Sequence, residues 1–344
     1  MLAPIAWRTP PRHYGPWELV TSLLTEALVR KGVDVTLFAT LDSNTSGRLD
    51  GVVPAPYGED PRIDVKVWEY RHLAHVFERA DRFDIIHNQA DFPAHAFAHL
   101  VSTPMVTTIH GFSSDRILPM YEPYQDRVHY FAISEADRHP RLRYAATIHH
   151  GIDVESFPFD PAGGEDLLFF GRMHPDKGAH HAIRVAREAG LRLNLYGIVQ
   201  DEGYVEREVA PELDERVRFH GAAGGAARLA ALGQARALLH LIEFDEPFGL
   251  SVVEAMACGT PVIATRRGSM AEIIEDGVNG FLVDRPEDAV AALADVNELD
   301  RARVRASVAG RFDVDRMADE YIALYRSILA TADKRAAPGL ARAG

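Results

Sequence analysis

The sequence predicts an α/β protein made of two parallel-sheet domains, and three observations carry that expectation. Apolar, strand-like runs alternate with amphipathic helical runs, as in parallel sheets with crossover helices. The alternation stops at a segment rich in Pro, Gly and acidic residues, Val154–Asp166, and then restarts. A chain of 344 residues also exceeds what one comfortable core accommodates.

Taken in order, strands are expected at Met1–Ala6, Val33–Ala39, Ile85–His87, Met105–Ile109, His129–Ile133 and Ala146–Ile148. Helical spacing falls between them at Trp17–Lys31, Lys66–Arg79 and Pro93–Val101. Beyond the linker, strands are expected at Leu167–Gly171, Arg192–Tyr196, Val217–His220, Ala237–Ile242 and Val262–Ala264. The domains are therefore divided as 1–153 and 154–315, and the Ala/Arg/Gly-rich end, 331–344, is expected to be a disordered tail.

Composition narrows the function. Apolar residues make up 47% and charged residues 25%, the balance of a soluble globular protein. No run of eighteen apolar residues and no signal peptide are present, so a cytoplasmic location is expected, with peripheral membrane contact left open. The single cysteine, Cys258, allows no intrachain disulfide and fits a reducing compartment. A net charge of −13 disfavours nucleic acid and anionic membranes as partners. Residues 1–150 hold 15 basic and 18 acidic residues, so even the less acidic half lacks a dense basic patch. Lysine supplies only four of the 37 basic residues, which we read as the coding bias of a high-GC, bacterial genome.

The segment Asp245–Thr265, DEPFGLSVVEAMACGTPVIAT, reads as a loop, a helix starting at Leu250 and a buried strand. The first N–H groups of a helix have no internal partner and carry the positive end of its dipole. A phosphate is therefore favoured in front of Leu250 and Ser251. Glu254, one turn in, is placed to accept hydrogen bonds from a ribose diol, and Glu246 faces whatever hangs off the phosphates. An anion site flanked by two such acceptors suggests a sugar nucleotide. Leu168–Gly178 adds two cations, Arg172 and Lys177, at another helix start. That placement opposes the dipole unless an anion sits there.

The run E-P-F-G-L-S-x-x-E-A-M-A-C-G-T-P-V-I-A resembles the E-x7-E motif of retaining GT-B glycosyltransferases of family 4, the glycogen-synthase-like superfamily. Leu168–Gly178, with Gly171-Arg172 and Lys177-Gly178, resembles the G-R-x-x-x-x-K-G segment of the same family. The resemblance implies the GT-B fold, with two Rossmann-like domains across a cleft and a last helix, about 316–330, crossing back to the first domain. It also implies a metal-independent front-face displacement with retention of configuration. Glu246 would hold the sugar's hydroxyls with the N–H groups of Phe248 and Gly249. Glu254 would take the ribose, Leu250 and Ser251 the α-phosphate, and Arg172, Lys177 and Gly15 the β-phosphate. His110 would line the reacting carbon, while Arg218, Phe219 and His220 would wall the base.

UDP is the expected nucleotide and product, GDP the runner-up, and no cofactor is expected. The acceptor, a hydroxyl compound, stays open between a small natural product, as in antibiotic biosynthesis, and a cell-envelope glycan. A GDP-dependent lipid glycosyltransferase and an impaired nucleotide-sugar-binding protein are the alternatives. A sugar phosphorylase would need a pyridoxal lysine, and a dehydrogenase a strand followed by G-x-G-x-x-G; neither signal is found.

Several features depart from the family or read two ways. The first strand would be very short. Pro16 replaces a second glycine beside Gly15, and His150 replaces an Asn in the hinge His149-His150-Gly151-Ile152-Asp153. Asp313-Val314-Asp315 reads as a helix cap. His180 and His181, consecutive on a helix, are expected to face apart and be solvated. Lys177→Ala and Glu254→Gln are both expected to lower turnover with the melting temperature nearly unchanged.

Overall fold

Short apolar runs buried on both faces become parallel strands. The structure is a computed structural model that describes residues 1–111 and 113–336. Twelve strands are formed by these residues: β1 (Thr36–Thr40), β2 (Arg48–Val53), β3 (Ile86–Asn88), β4 (Met105–Ile109), β5 (Val128–Ala132), β6 (Tyr144–Thr147), β7 (Leu167–Phe170), β8 (Leu193–Tyr196), β9 (Val217–Phe219), β10 (Ala237–His240), β11 (Val262–Thr265) and β12 (Gly280–Val283). All the pairings between them are parallel.

The later strands make one six-stranded sheet in the order β12-β11-β10-β7-β8-β9. Its side chains alternate between two cores. Leu167 and Phe169 enter one while Leu168 enters the other, and Ile263 opposes Val262 and Ala264 in the same way. The earlier strands form β1-β2 and β3-β4-β5-β6. The expected strand at the chain start is only a bridge, because Leu2 alone pairs with both Phe38 and Asn88. Its N–H donates to His87 O, and the N–H of Gln89 donates to Leu2 O. One residue thus fills the central lane between β1 and β3.

Two strands escaped sequence reading, the edge strands β2 and β12. Arg48-Leu49-Asp50-Gly51 is polar and half-exposed, and an edge needs no apolar alternation. The helix expected at Pro93–Val101 is a shorter 3-10 helix, Phe92–Phe97, entered from Asp91 at φ 64°.

The final helix, Val314–Ala336, lies against the helix Pro16–Arg30. Its Tyr321 and Tyr325 hydroxyls bond to Thr108 and His87 of the first sheet. Asp313 precedes this helix, and its carboxylate accepts the N–H of Asp315. The helix runs on through Ala336; the rest of the expected tail, 337–344, lies outside the described residues, as does Phe112. Two chain crossings between the sheets run side by side, Ile152 bonding to Phe312 O and Val314 to Ile152 O. Among the described residues no helix is long and apolar enough to cross a membrane.

Candidate functional site

Parallel sheets present functional side chains at the carboxyl ends of their strands, and here the two sheets turn those ends toward one cavity of about 920 Å³. Gly15, His110, Arg172, Lys177, Glu246, Phe248, Gly249, Leu250, Ser251 and Glu254 all line it. Ten of the thirteen residues singled out by sequence therefore share one hollow.

The other three do not. Arg218 points to solvent, Phe219 packs toward the core, and His220 stacks on Tyr196 at 4.6 Å while bonding to Asn194 Oδ1 at 2.8 Å. Strand β9 ends at Phe219, and the chain then turns at Gly221, so Ala222 and Ala223 reach the cavity instead. Gly197 and Ile198 line it beside them.

The helix Leu250–Ala257 starts from Gly249, and Val252 and Val253 donate back to Gly249 O. The N–H groups of Leu250 and Ser251 have no acceptor within the helix. The preceding loop is held by Ser269, whose N–H donates to Glu246 O and whose hydroxyl donates to Phe248 O. Glu246 pairs with Lys177, Nζ to Oε2 at 2.6 Å. Lys177 also lies 4.4 Å over the Phe244 ring. Burial works against the charge on Glu246, yet Lys177 and the nearby His240 outweigh it and hold the carboxyl at about 2. Glu254 is buried against Arg228, and burial raises its carboxyl above the usual range despite that cation. Arg172 bonds to Gln200 at the cavity wall.

Across the cavity, Gly15 caps the helix Pro16–Arg30 at φ 147°. A side chain there would meet Pro11, Glu18 and Trp7 within 3.0 Å. Pro16 costs nothing as the first helical residue, since its N–H would be unpaired anyway. Gly111 at φ 132° lets the loop after β4 touch Pro247, whose Cγ would lie 2.5 Å from an added Cβ. His110 stacks on Trp17 at 5.2 Å, and its Nε2 donates to Gln89 Oε1 at 2.6 Å. Its Nδ1 has no protein partner. Burial lowers the imidazole to about 3, so His110 is a neutral acceptor and not an acid at neutral pH.

In the hinge, His149 bonds to Glu272, whose carboxylate also accepts the N–H groups of Glu135 and Ala136. His150 is buried at the cavity wall. The expectation that His180 and His181 face apart is overturned, because their rings lie 4.0 Å apart and both approach Glu243. Among the described residues these are the three metal-capable groups that converge, all ligand atoms within 4.8 Å. Arg184 donates to His181 Nδ1, which makes Nε2–H the donor to Glu243 at 2.6 Å. The cluster is satisfied by hydrogen bonds as it stands.

The family model described as "Glycosyl transferases group 1" matches residues 156–311, and the one described as "Glycosyltransferase Family 4" matches residues 18–156. The chain belongs to glycosyltransferase family 4. This glycosyltransferase is 27% identical to the glycogen synthase of Mycobacterium tuberculosis over 84% of its own length and 83% of that protein's. Its fold is GT-B. AviGT4, a glycosyltransferase involved in avilamycin A biosynthesis, superposes with a TM-score of 0.71 at 24% identity, covering 96% of this chain and 97% of that one. Anabaena HepE in complex with UDP-glucose superposes with a TM-score of 0.73 at 19% identity, covering 95% and 98%.

Sequence reading missed Gln89, Trp17, Ser269 and Arg228, which orient the glycosyltransferase's site residues. Each lies far along the chain from the residue it holds, so no local motif marks it. Glu18, also at the cavity, was missed too. It is 2% exposed, and burial raises its carboxyl to about 7 even though the N–H of Trp7 donates to it. A carboxyl raised from 4.5 favours the folded state below pH 4.5, and that contribution fades as pH climbs to about 7. Glu18→Gln should abolish the decline. Between pH 4.5 and 8 its unfolding free energy should gain up to about 3 kcal/mol on wild type. Parallel urea titrations of both proteins that stay a constant distance apart would refute the burial argument.

Proposed function

We propose that the enzyme moves a sugar from a UDP-sugar to an acceptor hydroxyl with retention of configuration. The observation that carries this is the meeting of Arg172, Lys177, Glu254 and the N-terminus of the Leu250 helix in one cavity, with His110 on its far wall. A diphosphate laid against that helix end would be stabilised by the dipole and by two cations. Glu254 would receive the ribose hydroxyls, and the cavity wall at Gly197, Ile198, Ala222 and Ala223 the base. Glu246, kept ionised by Lys177, and His110 Nδ1 are both acceptors, suited to the hydroxyls of the transferred sugar. When the C1–O bond to phosphate breaks, the acceptor oxygen bonds to C1 on the same face. Its proton passes to the departing phosphate oxygen, so no separate base is needed. The positive charge for the leaving diphosphate comes from the protein, the reading in which the reaction is metal-independent. The UDP-glucose complex of the Anabaena neighbour supports UDP over GDP.

Release of UDP from a panel of UDP-sugars, with and without acceptors, tests the proposal, and proton NMR of the product reads the anomer. Turnover with GDP-sugars alone would replace UDP by GDP. Neither hydrolysis nor transfer with any donor, together with no thermal shift from UDP or GDP, would refute it.

A further inference from the structure

On the first-domain side of the cavity the charged groups are acids, set among the His13 imidazole and the Tyr14 and Tyr57 hydroxyls, with Tyr57 hydrogen-bonded to Glu69. Glu18, Glu69 and Asp91 all line this wall, and no Lys or Arg does so. Arg12, between the wall residues Pro11 and His13, is engaged by Asp42 and Glu59. His72, only 2% exposed, lines the same wall; its Nε2 donates to Ala3 O at 3.0 Å, so Nδ1 carries a lone pair, and that atom has no protein partner. Asp91 is held at φ 64°, a conformation costly for any residue but glycine, by Asn88 bonding to its carbonyl and Tyr121 to its carboxylate. Trp7, Tyr14, Trp17 and Tyr57 add ring faces and edges to the wall.

We propose, resting on the glycosyl-transfer reading, that this wall receives the acceptor and selects a ring-shaped polyol without phosphate, served best by one bearing an amino group. Flat aromatic walls suit the C–H faces of a saturated ring and attract a cation. Four acceptor groups call for a ligand rich in O–H and N–H donors. A phosphate, all acceptor oxygens, would face three acids with no Lys or Arg on their own wall. Asp91 and Glu69 also repel each other's charge. Burial raises all three, and Asp91 raises Glu69 further, so an ammonium brought among them would relieve the field.

Tryptophan fluorescence of the full chain saturated with UDP reads this wall, because Trp7 and Trp17 line it. Glucosamine, glucose and glucose 6-phosphate serve as one ring in three charge states. Glucosamine should bind about tenfold tighter than the phosphate ester at pH 7, with glucose between. Asp91→Asn should narrow that ratio, and Glu69→Lys should reverse it. Equal or tighter binding of the phosphate ester, a ratio untouched by both variants, or no response to any of the three sugars would overturn the proposal. Should the glycosyl-transfer reading itself be wrong, UDP would bind no better than buffer salts, a separate outcome.

Discussion

Lys177→Ala is expected to lower turnover by about 10²–10³ and unfolding free energy by roughly 3 kcal/mol. The first effect follows from removing a cation from the donor end of the cavity. The second corrects the sequence-based expectation that the melting temperature would hold. Lys177 and Glu246 are 15% and 11% exposed and 2.6 Å apart, so the substitution strands a buried carboxylate beside His240. The carboxyl at about 2 sits below its ordinary 4.5. Such a depressed group stabilises the fold above about pH 4.5 and loses that contribution as pH falls toward 2. Lys177→Ala should erase this acid-limb dependence, and adding Glu246→Gln should restore stability without restoring turnover. Urea titrations at several pH values and a UDP-release assay measure both. A single variant with normal stability and turnover within about threefold of wild type would take Lys177 out of the site.

Glu254→Gln is expected to weaken the UDP-sugar by about 10- to 100-fold, the worth of a charged hydrogen bond to a hydroxyl. The decisive comparison uses the 2′-deoxy and 3′-deoxy donors. If Glu254 grips the ribose, the wild type loses affinity for one or both, and the variant loses little more. Full additivity would place the carboxylate elsewhere in the nucleotide pocket. The buried pair with Arg228 makes a second point. Arg228→Met should loosen donor binding less than Glu254→Gln does, because the arginine orients the carboxylate and has no assigned contact with the ribose. The reverse order, read from the donor KM of each, would make Arg228 the direct ligand.

How much could be read without coordinates differs between elements. Most strands buried on both faces were found within two or three residues because burial leaves a nearly continuous apolar run in the sequence, whereas the central strand expected at Met1–Ala6 is a single bridge at Leu2. Of the edge strands, β6 and β9 were found while β2 and β12 were not; Arg48-Leu49-Asp50-Gly51 of β2 is half-exposed and carries no apolar run. That Arg172, Lys177, Glu246 and Glu254 share one cavity was legible for a different reason. A helix N-terminus needs its glycine, its small residues and its acid at fixed local offsets, so the chemistry is written in contiguous residues. Arg218 to His220 lie off the cavity because the position of a strand's end says nothing of where the next turn carries the chain.

By itself, then, the sequence determined two parallel sheets, the family, and a phosphate-suited helix end with two cations in reserve. Folding decided what those charges do before any ligand arrives. Lys177 neutralises Glu246, Arg228 covers Glu254, Gln89 and Trp17 hold His110, and two consecutive histidines meet over Glu243. Local spacing specifies which groups exist at a helix turn or strand end. Only long-range packing chooses their partners, because a charge removed from water must find its counterpart wherever the chain has brought one.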